Sequence, residues 1–180
     1  MQIWAQLKTE CALLLHHLSQ KAFDRIPPRH ITFVDPFIIP RDTRLKWVPY
    51  LGFFLGTIPE HAGRTDLKLA HWYNQNPVSS LTQLQRLITH ISDQLDHGIS
   101  LPKGTTLTVF QGDNDPVSDP LGADKITEQV QADREPSLKL LSSDIHVLVH
   151  GASYLDSEWG ERDRHNQARV FDHILSPTSY

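Results

Sequence analysis

Apolar positions along the chain fall into segments whose spacing alternates between that of strands and that of helices. The opening "QIWA" is a short strand-like run. "TECALLLHHLSQ" then sets Ala12, Leu15 and Leu18 on one helical face with Thr9 where an N-cap would stand, which predicts a helix over 9–20. "FDRIPPRH" ends it. "HITFVDPFIIP" is β-branched and aromatic, and its unbroken apolar run predicts a strand over 31–34 buried on both faces of a parallel sheet. The strongest helical stripe is "SSLTQLQRLITHISDQLDHG", with Leu81, Leu84, Leu87, Ile88, Ile91 and Leu95 in line, Ser80 and Gln83 as a capping box and Gly98 at the end. Then come a strand in "TTLTVF", a helix in "DPLGADKITEQVQA", a strand in "DIHVLVHG" and a last helix in "ERDRHNQARVFDHIL" with Ala168, Val170 or Phe171, and Ile174 or Leu175 inward.

Residues 36–79 break this rhythm. Pro36, Pro40, Pro49, Pro59 and Pro77 are spaced among Trp47, Tyr50, Phe53, Phe54, Trp72 and Tyr73, which reads either as a lid or binding loop or as an irregular helical subdomain. Strands separated by helices imply βαβ crossovers. The expected fold is therefore a single α/β domain over 1–180, with a mostly parallel sheet of about four strands, helices on both faces and a cap-like insertion at 36–79. In such sheets chemistry collects at the carboxyl ends of the strands.

Composition narrows the choice. A chain of 180 residues buries enough surface for one real core, and 39% apolar with 21% charged residues is ordinary for a globular domain. The net charge is −4 with lysines and arginines scattered, so no basic stripe suits nucleic acid. No apolar run approaches the ~20 residues of a membrane span, and the N-terminus does not read as a signal peptide. A lone Cys11 in an apolar helical run reads as a small buried hydrophobe, consistent with a reducing, cytoplasmic setting. No glycine-rich phosphate loop is present, and no cofactor is expected. Eleven histidines raise the question of a metal. His146 and His150 would share a strand face but stand ~13 Å apart, His90 and His97 lie two helical turns apart, and His16 and His17 read as a half-exposed pair, so no metal is expected.

Two strand exits carry candidate chemistry. After "TTLTVF", "QGDNDPVSDP" turns tightly through Gly112 and sets Asp115 over the sheet edge. After "IHVLV", "HGASYLDSEWGERDRH" supplies His150 at the strand end and His165 at the start of the last helix. A carboxylate after one strand and an imidazole after the next is the orienter and base of a nucleophilic triad. Asp113, Asp115 and Asp35 would equally serve as turn and cap residues.

In succession, "FVDPFIIP", "VFQGDND" and "VLVHGASYLDSE" resemble the C-terminal half of the α/β-hydrolase superfamily, in the order of that fold and over nearly the whole chain. The resemblance implies lipase- or esterase-like chemistry on an apolar acyl or ester ligand, with Asp115 as acid, His165 or His150 as base and 36–79 as lid. Asp35 is the alternative acid, in the place some lipases use, and "DRHNQARVF" around His165 resembles the lipase histidine region. Two positions depart from the pattern. The elbow reads "AQLKT", with Ala5, Leu7 and Thr9 where the family has Gly, Ser and Gly, and no G-x-S-x-G occurs. Loss of a triad serine costs about 10⁶-fold in turnover in a serine protease. The family's histidine falls on Tyr154. The expectation is thus a hydrolase-type protein whose nucleophile comes from another chain or from upstream, or a non-catalytic binding or partner-interaction protein or truncated remnant. The chain starts at the strand leading into the elbow, so that strand should be an open edge covered by a second copy or a partner chain.

Overall fold

The computed structural model describes residues 2–5, 8–51, 56–59, 75–115, 117–142 and 161–176. Its centre is a four-stranded, all-parallel sheet of β1 (Gln2–Ala5), β2 (His30–Val34), β6 (Thr106–Gly112) and β8 (Ser137–Leu141), in the order β1-β2-β6-β8. Helix α1 (Lys8–Ser19) crosses from β1 to β2, α3 (Val78–Asp96) precedes β6, and α4 (Leu121–Gln129) crosses from β6 to β8. The final helix α5 (Glu161–Leu175) follows. Two short ladders complete the described structure: β3 (Thr57–Pro59) runs antiparallel to β4 (Gln75–Pro77), and β5 (Ile99–Ser100) runs parallel to β7 (Val130–Gln131).

Alternation along the strands sorts side chains between two unequal faces. Ile31, Phe33, Leu107, Val109 and Leu138 point to one side and pack with Cys11, Ala12, Leu15 and Leu18 of α1, Ile91 and Leu95 of α3, and Ala123 and Ile126 of α4. This is the main core. The other face carries a smaller cluster of Val34, Phe110 and Leu141, capped by Val170 of α5 with Ile174 beside it. Between these apolar residues the second face is polar: Thr32 and Thr108 are both buried, and the Ser137 hydroxyl donates to Thr108 Oγ1 at 3.1 Å. Residues 31–34 of β2 are all buried between two parallel neighbours, as expected, with Thr32 the one polar side chain among them.

The pattern located most elements, with local corrections. Helix α1 begins at Lys8, so Thr9 lies within its first turn and is exposed. Helix α3 begins at Val78 after Pro77 with no side-chain cap, because the proline already fixes the extended entry; Ser80 and Gln83 lie inside the helix. Its end is as expected. Gly98 has φ +83°, donates its N–H to Leu95 O at 2.9 Å, and would place a Cβ 2.8 Å from Gln131 Nε2. Among the described residues the fourth strand of the sheet is "SLKLL", which the pattern did not mark; the strand expected in "DIHVLVHG" lies outside the described residues. Among the described residues β8 pairs only with β6, and it carries Lys139 and an exposed Leu140, which hid it among polar residues. Helix α5 has its predicted bounds, with Val170 buried. Ala168, Phe171 and Leu175 face outward, and Asn166 and Gln167 are buried instead. The described part of the insertion holds a 3₁₀ turn over Thr43–Trp47, helix α2 (Val48–Leu51) and the β3–β4 pair.

Candidate functional site

The carboxyl ends of β2 and β6 lie side by side, and the loops that leave them are joined by their backbones. Arg41 N–H donates to Val117 O at 3.0 Å, Asp119 N–H donates to Ile39 O at 2.8 Å, and Pro40 and Ser118 form an antiparallel bridge. The Arg41 guanidinium adds a bond from Nη2 to Asp113 O at 3.1 Å. Gly122, at the start of α4, approaches so closely that a Cβ there would lie 3.0 Å from Ile39 N. The two exits therefore behave as one unit.

Asp35 is the corner of that unit. Its N–H donates to Phe110 O at 2.9 Å, continuing the ladder, and then the chain turns at φ +46°. Its Oδ1 accepts the Gly112 N–H at 2.8 Å, and the Ser118 hydroxyl reaches its carbonyl at 3.4 Å. Only 2% of the residue is exposed. The carboxyl thus takes up a backbone donor of the neighbouring strand's last residue, at a backbone angle that aspartate tolerates better than most residues.

Asp115 stands three residues beyond Gly112 and is fully buried. Its Oδ1 accepts two backbone donors, Val117 N–H at 2.7 Å and Ser118 N–H at 3.1 Å, an Asx-type turn closed by the side chain itself. Oδ2 is buried as well. Beside this loop, Asp113 N–H donates to Leu141 O at 2.9 Å, which brings the exit of β8 against that of β6. The adjoining exits bring Asp35 and Asp115 together through Ser118, which bonds both.

The other expected groups are placed differently. His165 is on α5 and exposed, and among the described residues no hydrogen bond joins it to Asp115. Its neighbour Asn166 anchors the helix by donating from Nδ2 to Ser142 O at 2.9 Å. Leu7, His150 and Tyr154 lie outside the described residues, and Ala5 ends β1. Cys11 offers no substitute nucleophile. It is fully buried, burial pushes its thiol far above the usual range, and the nearby Asp35 and Glu10 charges push the same way.

At the opposite end of the sheet a second titratable group of residues sits on the face covered by α5. Burial holds His173 down at about 4 and His30 below its ordinary value, with the Lys139 charge adding to both. A cavity of about 610 Å³ opens beside the start of β8, lined by Thr127, Val130, Gln131, Pro136 and Leu138 among others, away from the exits. Among the described residues no group of three or more His, Cys, Asp or Glu side chains could hold a metal, and no described helix is long and apolar enough to cross a membrane.

No family model and no curated protein matches the chain. Solved structures do. One of the metagenome-derived lipolytic enzymes LipS and LipT is 16% identical with a TM-score of 0.65, the match covering 97% of this chain and 64% of that one. A monoacylglycerol lipase from Paleococcus ferrophilus is 9% identical with a TM-score of 0.61, covering 97% and 68%. A soluble variant of monoglyceride lipase from Saccharomyces cerevisiae, with a substrate analogue, is 14% identical with a TM-score of 0.67, covering 98% and 62%. The chain thus spans about 62–68% of the length of these proteins. At these identities the likeness is one of fold, and the fold of this chain is α/β-hydrolase-like over nearly its whole length.

Proposed function

We propose that this protein engages an apolar acyl or ester ligand at the strand exits, with Asp115 in the acid's place of an acyl-transfer site and Leu7 where the resemblance would put the nucleophile. The observation that carries this is Asp115 itself, a carboxyl fully buried at the end of β6 with one oxygen held by two backbone donors, as an orienting acid has to be. The lipolytic activities of similarly folded proteins supply the substrate class. The 36–79 insertion, with Trp47 and Tyr50 exposed at 63% and 74%, serves as the lid or ligand-facing surface.

The partner imidazole is open to three residues. His165 and His150 follow from the sequence reading. A third follows from β8: with this strand ending at Leu141 beside the Asp115 loop, the first imidazole after its exit is His146. With Leu7 at the nucleophile position of the elbow and no ionisable thiol beside it, the acid and base have no nucleophile to activate. The chain is then a non-catalytic, hydrolase-derived binding protein. The intact acid loop favours a second reading, an active hydrolase whose nucleophile is supplied from elsewhere. A partner fits the edge of β1, which among the described residues is paired only on the β2 side, as a second copy or another chain. The buried lone Cys11 suits a reducing compartment such as the cytoplasm.

The test is hydrolysis of short- and long-chain p-nitrophenyl esters, together with binding of a fluorescent fatty acid, by the purified chain and its Asp115→Ala, His146→Ala and His165→Ala variants. Saturable acyl binding without turnover above buffer is expected. Turnover abolished by Asp115→Ala would replace this conclusion with the active-enzyme reading, and neither binding nor turnover by a folded chain would remove both. Light scattering over a wide concentration range tests the edge, where a monomer throughout would count against a second copy.

A further inference from the structure

His30 opens β2 and His173 lies in the last turn of α5, yet their Nε2 atoms are 3.1 Å apart. The outer nitrogen of His30 is committed. Its Nδ1 lies 2.6 Å from Thr106 Oγ1, which also stands 3.3 Å from Arg29 O; when the Thr106 hydroxyl donates to that carbonyl, the threonine accepts from His30 as the Nδ1–H tautomer. The His30 Nε2 lone pair then points at His173 Nε2. The His173 ring is further set by an edge contact with Phe110, centroids 5.1 Å apart.

We propose that these two imidazoles form a site for a divalent first-row transition ion that prefers nitrogen donors, of the Zn²⁺ and Cu²⁺ class. Two arms of about 2.0–2.1 Å at a tetrahedral angle span roughly 3.3 Å, so opening the pair by a few tenths of an ångström admits the ion. A ligating histidine whose other nitrogen donates to a fixed acceptor is the usual supporting arrangement, and Thr106 provides it for His30. The donor set excludes calcium and magnesium, which want oxygen. No third protein donor stands with the pair among the described residues, so solvent completes the coordination and binding is weak. The Lys139 ammonium on the same face, 5.5 Å from the Phe110 centroid, opposes a cation and weakens it further. An ion held here would clip the end of α5 to the start of β2, across 143 residues of sequence.

The experiment is calorimetric titration of the full chain with ZnCl₂, alongside thermal unfolding with and without the metal and the electron paramagnetic resonance spectrum of the Cu²⁺ form. One ion per chain, a raised melting temperature and a two-nitrogen Cu²⁺ spectrum are expected, with binding lost in both His30→Gln and His173→Gln and strengthened several-fold in Lys139→Met. Unchanged Zn²⁺ binding in folded His173→Gln, no binding by the native chain at millimolar metal, or no gain in Lys139→Met would each overturn the assignment. Should either glutamine variant fail to fold, the Lys139→Met comparison decides.

Discussion

Replacing Asp35 separates two contributions that the structure places on one residue: its carboxyl accepts the Gly112 N–H at 2.8 Å, and its backbone sits at φ +46°. Asparagine keeps an acceptor and tolerates the left-handed region, so Asp35→Asn should lose only the charge assistance, about 1 kcal/mol. Glycine accommodates the angle freely but leaves the buried Gly112 donor without this acceptor, for about 1–3 kcal/mol. Alanine loses the acceptor and also pays the left-handed penalty of about 1–2 kcal/mol, giving roughly 2–5 kcal/mol in total. The expected order of cost is Asn, then Gly, then Ala, read as urea midpoints by circular dichroism. With about 1–3 kcal/mol per molar urea, the alanine variant should unfold about 1 M or more below the native chain. Amide exchange at Gly112 gives a site-specific check, since it should accelerate in the glycine and alanine variants and little in the asparagine one. Equal midpoints for glycine and alanine would show that the angle carries no strain. An asparagine variant as unstable as alanine would show that the carboxyl acts by something other than accepting from Gly112.

Three further outcomes follow from the core and turns. Phe33 is fully buried in the main cluster, so Phe33→Ala should cost about 3–5 kcal/mol in the same urea assay. Gly98 and Gly104 both have positive φ, but an added Cβ meets Gln131 at 2.8 Å only at Gly98; Gly98→Ala should therefore cost more than the roughly 1–2 kcal/mol expected of Gly104→Ala. Cys11, buried with its thiol held protonated, should resist a colorimetric disulfide reagent at pH 8 in the native chain and react at once in denaturant.

What the sequence made legible was whatever its own periodicity enforces. The stripe of α3 and the bounds of α5 were readable because an amphipathic helix needs an apolar face, and Asp115 because an aspartate flanked by Gly112 and Pro116 after an apolar strand is local turn chemistry. β8 was not, because a strand that carries Lys139 and an exposed Leu140 shows no apolar run. Asp35 precedes Pro36, which biases it toward an extended backbone. Its turn comes instead from the Gly112 N–H across the sheet, a tertiary contact that no window of sequence contains. The meeting of His30 with His173 is of the same kind.

The inequality of the two faces of the sheet has a consequence for how the molecule comes apart. One side is a continuous apolar cluster fed by three helices, while the other rests on Val34, Phe110, Leu141 and Val170 among threonines, a serine and a lysine. Local opening follows the distribution of buried apolar contacts. Among the described elements, the helix from Glu161 to Leu175 is thus the one expected to open first, a separately melting unit whose amides should exchange ahead of those in α1 while the sheet and its three other helices stay folded.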